Sequence, residues 1–180
     1  MKRAAFLILA FLFSSVVCSA FETGNVWPGV APGEKADAVK PSYEFWAPEK
    51  PTTDACIVVC PGGGYYEYAY VHEGEKIAQY FNSKGVPVVV LRYRVPRRPG
   101  LPKHLAAWQD AQRMVRVVRS HAAEWKINPE KIGIMGFSAG GHLTLMTATT
   151  SQTASYEPID DVDKLPCHVN FAIPVYPAYV

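Results

Sequence analysis

Residues 133–142 read Gly-Ile-Met-Gly-Phe-Ser-Ala-Gly-Gly-His, so an apolar run ends in Gly136-Phe137-Ser138-Ala139-Gly140. This G-x-S-x-G spacing folds as a sharp strand-to-helix turn, the nucleophile elbow, which lifts one serine above the end of a sheet. The serine sits in a strained backbone conformation. Its neighbours at −2 and +2 must lack side chains so that strand and helix can approach closely. The first free N–H groups of the new helix then point to where an oxyanion would form. The context agrees, because Lys131-Ile132-Gly133-Ile134-Met135 predicts a buried strand and Leu143-Thr144-Leu145-Met146-Thr147-Ala148 a buried helix. Ser138 is therefore the candidate nucleophile, and the N–H of Ala139 a candidate oxyanion donor.

Strands and helices alternate along the rest of the chain. Ser42–Trp46 alternates polar and apolar residues like an edge strand, and Ala55–Cys60 is continuously apolar, as a strand buried on both faces should be. A helix follows from about Glu73 to Ser83, then a strand over Val86–Tyr93 and a loop over Pro96–Pro102. Leu105–Trp125 reads as one long amphipathic helix carrying Leu105, Trp108, Ala111, Val115, Val118, Ala122 and Trp125 on one stripe. A polar loop from Thr149 to Pro166 leads to a last strand over Val169–Tyr176. This order predicts an α/β fold, a mostly parallel sheet flanked by helices with its ligand site beyond the carboxyl ends of the strands. The chain divides into 1–20, a lead over 21–41, and one domain over 42–180.

Pro61-Gly62-Gly63-Gly64-Tyr65 directly follows the strand ending at Cys60. Three consecutive glycines let backbone N–H groups turn inward unobstructed. A loop in this place beside a nucleophile elbow supplies the other oxyanion donor, here Gly63 or Gly64. Nucleotide binding is disfavoured, since neither Gly-Lys-Ser/Thr nor G-x-G-x-x-G spacing follows. Tyr65, Tyr66, Tyr68 and Tyr70 crowd past the loop, where they line an acyl or sugar pocket or cover the sheet edge. Tyr65, Tyr66 and His72 are the candidate substrate contacts, with His104 also near the reactive edge.

Lys2 and Arg3, the apolar Phe6–Val17 and the small residues Cys18-Ser19-Ala20 form an export signal with a cut after Ala20, so a secreted or periplasmic location is expected. The apolar stretch is short for a membrane span, and Val17 argues against lipid attachment at Cys18. The remaining chain holds 16 basic and 16 acidic residues. That balance argues against nucleic acid as the main partner. Arg113, Arg116 and Arg119 recur along one helix, most simply as its solvated face, with Asp110 and Arg113 as an intrahelical pair. Cys56 and Cys60 lie roughly 13 Å apart on one strand, beyond the ~7 Å limit of a disulfide. With Cys167 they are read as three buried thiols. None of the five histidines shows metal-ligand spacing.

Trp27-Pro28-Gly29, Cys60-Pro61-Gly62-Gly63-Gly64-Tyr65, His72-Glu73-Gly74, Leu91-Arg92-Tyr93-Arg94, Gln109-Asp110-Ala111-Gln112-Arg113 and the run from Gly133 to His142 together resemble the secreted bacterial α/β-hydrolase esterases. The acetyl xylan esterase-like branch, whose members are often labelled xylanases, is the nearest, and Pro61 stands where lipase-type relatives have histidine. The resemblance implies hydrolysis of short acyl esters, often acetyl groups on plant polysaccharide, on a small-molecule or polysaccharide ester with no metal or organic cofactor. It also implies an Asp and a His on loops after later strands. These are expected beyond Val180, with the C-terminal strands that carry them. Within the chain, Asp160, Asp161 or Asp163 followed by His168 has the correct order. His168 precedes its strand, however, and so lies at the opposite edge of the sheet from Ser138. His142 reads as a packed, locally bonded histidine. The alternatives to a serine esterase are a non-catalytic, carbohydrate-binding relic of the fold and, more remotely, a serine peptidase.

Overall fold

The computed structural model describes residues 21–178. The expected export signal, with Cys18, lies outside them. Strands β1 (Phe21–Asn25), β2 (Ser42–Trp46), β3 (Cys56–Cys60), β4 (Val88–Arg92), β5 (Ile132–Phe137) and β6 (Phe171–Val175) form one sheet in the order β1-β2-β4-β3-β5-β6. The pairs β1–β2 and β2–β4 are antiparallel, and β4, β3, β5 and β6 run parallel. Helix α1 (Lys76–Ser83) packs on one face, where Ala78, Ile77 and Phe81 meet Ile57, Val59, Val88 and Val90. Helices α2 (Leu105–Ser120) and α3 (Ala139–Thr149) cover the other, where Ala111, Met114, Val115 and Leu143 meet Val58, Val89, Leu91 and Ile134. The continuous apolar run of β3 follows from its place in mid-sheet, where both faces are covered.

The expected edge at Ser42–Trp46 is an interior position, because the lead supplies β1. The sequence Phe-Glu-Thr-Gly-Asn buries almost nothing, and its place rests on backbone pairing and on Phe21 stacking on Trp46 at 4.9 Å. Helix α1 is also shorter than expected. Val71–Glu75 forms a wider π-helical turn before it. Helix α2 stops at Ser120, not Trp125. The chain then closes through the Ile127 N–H, which donates to the Ala122 carbonyl at 2.9 Å, with Lys126 left-handed at φ 56°.

Two charge readings are corrected. The arginine stripe of α2 is not solvated, since Arg113 is 3% and Arg119 7% exposed. The polar segment after α3 lies along that stripe. Arg113 holds Asp160 at 2.6 Å and Asp163 at 2.8 Å, Arg116 donates to Tyr156 Oη at 2.6 Å, and Arg119 donates to the carbonyls of Pro129, Pro166 and His168. Asp110 does not pair with Arg113. It is fully buried with Arg94 at 3.0 Å, and it also accepts from Trp27 Nε1 and the Arg94 N–H, both at 2.7 Å. A carboxylate out of water needs several donors, and a pair between α2 and the strand end supplies them where one helical neighbour would not. Cys56, Cys60 and Cys167 are buried free thiols, and burial raises the pKa of Cys56 to about 12.

Candidate active site

Ser138 stands between the end of β5 and the start of α3 with φ 50° and ψ −116°. A non-glycine residue is rare there, and the conformation persists only because its surroundings hold it. The Ser138 N–H donates to the Val175 carbonyl at 3.1 Å. Its own carbonyl accepts from the N–H groups of His142 (3.0 Å) and Ala178 (2.8 Å). The glycines of the motif are required by close approach. A Cβ on Gly136 would lie 2.2 Å from the Gly140 carbonyl oxygen, and one on Gly140 would lie 2.0 Å from the Cys60 oxygen. The first turn of α3 is thus pressed against the exit of β3.

That exit is the glycine loop, and a Cβ placed on Gly62 would lie 3.1 Å from Ser138 Cβ. The Gly62 N–H is already taken, donating to Glu73 Oε2 at 2.8 Å. The carboxylate also accepts from Tyr176 Oη at 2.6 Å, and so ties the loop to the segment after β6. Gly63 adopts φ 134°, with Glu67 backbone where a side chain would go, and its carbonyl accepts from the Tyr66 and Glu67 N–H groups at 3.0 and 3.2 Å. The N–H groups of Gly63, Gly64 and Ala139 have no protein acceptor among the described residues. Three unpaired donors beside a strained serine are what an oxyanion site requires.

The four tyrosines divide. Tyr65 is fully buried, left-handed at φ 62°, and its Oη lies 2.9 Å from His142 Nδ1. Its expected place against substrate gives way to a place under the loop. Burial pushes its phenol up and lowers the imidazole of His142, to which the facing ring of His104, centroids 5.4 Å apart, adds. The His142 side chain is not bonded locally, but joins α3 to the glycine loop through Tyr65. Tyr68 Oη donates to the Tyr93 carbonyl and Tyr70 Oη to Glu44. Tyr66 is 55% exposed, and His72 is exposed on the π-helical turn.

Ser138 Oγ has no hydrogen-bond partner among the described residues. Asp160 and Asp163 are held by Arg113. His168 precedes β6, which runs parallel to β5, and so stands at the far end of the sheet from Ser138. Glu73 and the Tyr65–His142 link escape sequence reasoning, since separations of 11 and 77 residues follow no local rule. Only the His72-Glu73-Gly74 motif points toward Glu73. Among the described residues, no three potential ligands group to hold a metal, and no helix is long and apolar enough to cross a membrane.

An acetylxylan esterase of Xylanibacter ruminicola is 38% identical over 116 residues, 64% of this chain and 23% of the relative. Among solved structures, an acetyl ester-xyloside bifunctional hydrolase from Caldicellulosiruptor lactoaceticus superposes with a TM-score of 0.71 at 31% identity, covering 84% of this chain and 55% of that one. Propionate-bound esterase 2 of Thermogutta terrifontis superposes with a TM-score of 0.67 at 28% identity, covering 84% and 53%. The chain thus spans about half the length of these structures, and less than a quarter of the acetylxylan esterase. With the strained serine, the glycine loop and the sheet order in place, and residues 44–177 matching the BD-FAE family, the chain belongs to that family of α/β-hydrolase esterases.

Proposed function

We propose that this chain carries the nucleophile and oxyanion site of an exported serine esterase acting on short acyl esters, chiefly acetyl groups on plant polysaccharide. The observation that carries the reading is Ser138, held left-handed beside three unpaired backbone N–H groups. Ser138 Oγ attacks the ester carbonyl carbon and gives its proton to a general base. The N–H groups of Ala139 and of Gly63 or Gly64 hold the negative oxygen of the tetrahedral intermediate. Collapse expels the alcohol, which takes that proton, and water then frees the acid from the acyl-serine by the same steps in reverse. The base and the acid that orients it come from outside residues 21–178. The names of relatives, an acetylxylan esterase and an acetyl ester-xyloside hydrolase, favour acetyl groups on a xylose-based polymer.

A fluorophosphonate probe tests the chemistry. It is expected to label the native protein at Ser138 and to leave Ser138→Ala unmodified. A folded native protein that resists the probe would remove the esterase reading in favour of a carbohydrate-binding relic. Faster turnover of peptides than of acetyl esters would point to a peptidase instead. Export is checked by the N-terminus of the native protein, expected at Phe21. An intact Met1 would refute the removable signal.

A further inference from the structure

A shallow pocket of about 440 Å³ opens beside the oxyanion loop, lined chiefly by Tyr66, Arg97, Arg98, Leu101 and Lys103. Three connections tie it to the loop and helix that flank Ser138. Tyr66 belongs to the same turn as Gly63, and the Arg97 N–H donates to the Tyr65 carbonyl at 2.7 Å. Lys103 directly precedes His104, whose ring faces that of His142, one helical turn beyond Ser138. The pocket is basic in a way the molecule is not, since basic and acidic residues balance beyond residue 20. Arg98 is neutralised by Glu34 at 2.7 Å, which Arg94 also approaches at 3.3 Å. Arg97 and Lys103 have no carboxylate partner among the described residues. The Arg97 guanidinium lies 4.4 Å over the Tyr66 ring and covers one of its two faces, so cation and aromatic ring form one stacked unit in the pocket wall.

We propose that this pocket takes a uronic acid residue of the ester substrate, its ring against Tyr66 and Leu101 and its carboxylate toward Arg97 and Lys103. The place of the pocket in catalysis rests on the esterase reading, whereas the binding itself does not. An exposed phenol face and an exposed leucine suit the apolar face of a sugar ring. Two unpaired cations of different geometry suit one carboxylate. A neutral acetylated sugar would leave both charges unanswered. An esterase with this pocket would therefore prefer esters near an acidic branch of the polymer.

Titration calorimetry with the Ser138→Ala protein tests this, using a xylo-oligosaccharide that bears one glucuronic acid and the neutral oligosaccharide of equal length. The acidic sugar is expected to bind about tenfold more tightly at low salt, the preference shrinking as salt screens the pair. It should vanish in Arg97→Gln/Lys103→Gln and fall in the single, surface variant Lys103→Gln. Equal affinity for the two sugars, or a preference that Lys103→Gln leaves intact, would overturn the proposal. Fluorophosphonate labelling of Ser138 reads the esterase chemistry separately. A retained preference without labelling would leave a binder of acidic xylan, and labelling without a preference would leave an esterase whose pocket is idle.

Discussion

At the scale of single residues, His142 illustrates how a side chain's role depends on what stands opposite it. Its ring lies between Tyr65 Oη at 2.9 Å and the ring of His104, and both imidazoles are pushed below the ordinary value of 6.5, mainly by burial. The folded state therefore prefers the neutral rings, while the unfolded chain protonates them at their ordinary value. Stability from this pair is complete above pH 6.5 and is lost as pH falls below that through the lowered folded values. Melting temperature should thus drop between pH 7 and pH 5, and His104→Gln/His142→Gln should drop less. Parallel curves for the two proteins would show that the pair does not sense pH. Ser138 is the opposite case, since its place at a tight strand-to-helix turn was legible from five residues of sequence alone.

Between elements, the meeting of β3, β5 and α3 tolerates no added atom. In Gly140→Ala the new methyl would lie 2.0 Å from the Cys60 oxygen and 2.7 Å from the Pro61 oxygen, both fixed backbone. The substitution should cost about 3 kcal/mol or more, because no flexible side chain is there to yield. Urea unfolding measures this, and a loss below about 1 kcal/mol would mean that the helix moves away from the strand. The strands β3, β4 and β5 were evident as apolar runs because each is covered on both faces. Strand β1 was not, since Phe21–Asn25 is exposed and its position comes from pairing with β2. The end of α2 was misplaced for a related reason. His121–Trp125 continues the apolar stripe while the backbone has already left the helix, and His121 stacks on Trp125 at 4.6 Å.

For the molecule as a whole, the sheet is protected unevenly. Among the described residues both end strands, β1 and β6, pair on one side only, but β1 carries the polar Glu22, Thr23 and Asn25, whereas β6 presents Phe171 and Ile173, each more than a third exposed. An unpaired apolar strand is a template for another chain. Protein limited to residues 21–180 should therefore self-associate as its concentration rises, and Ile173→Lys should shift it toward monomer in light scattering. A monomeric, cooperatively unfolding wild-type fragment would contradict this.

The sequence by itself determined the strand–helix order, the parallel core, the serine at the elbow and the glycine loop, because each depends on neighbours a few residues away: apolar periodicity, turn chemistry, a side chain that has to be missing. Only the tertiary structure decided which charges pair and what supports the loop. Asp110 finds Arg94 and Trp27 instead of Arg113, Arg113 finds Asp160 and Asp163, Glu73 takes the Gly62 N–H, and Tyr65 reaches His142. A buried polar group is satisfied by whatever donor or acceptor the fold brings within 3 Å or so. That partner is chosen by the packing of whole elements, and no spacing along the chain records it.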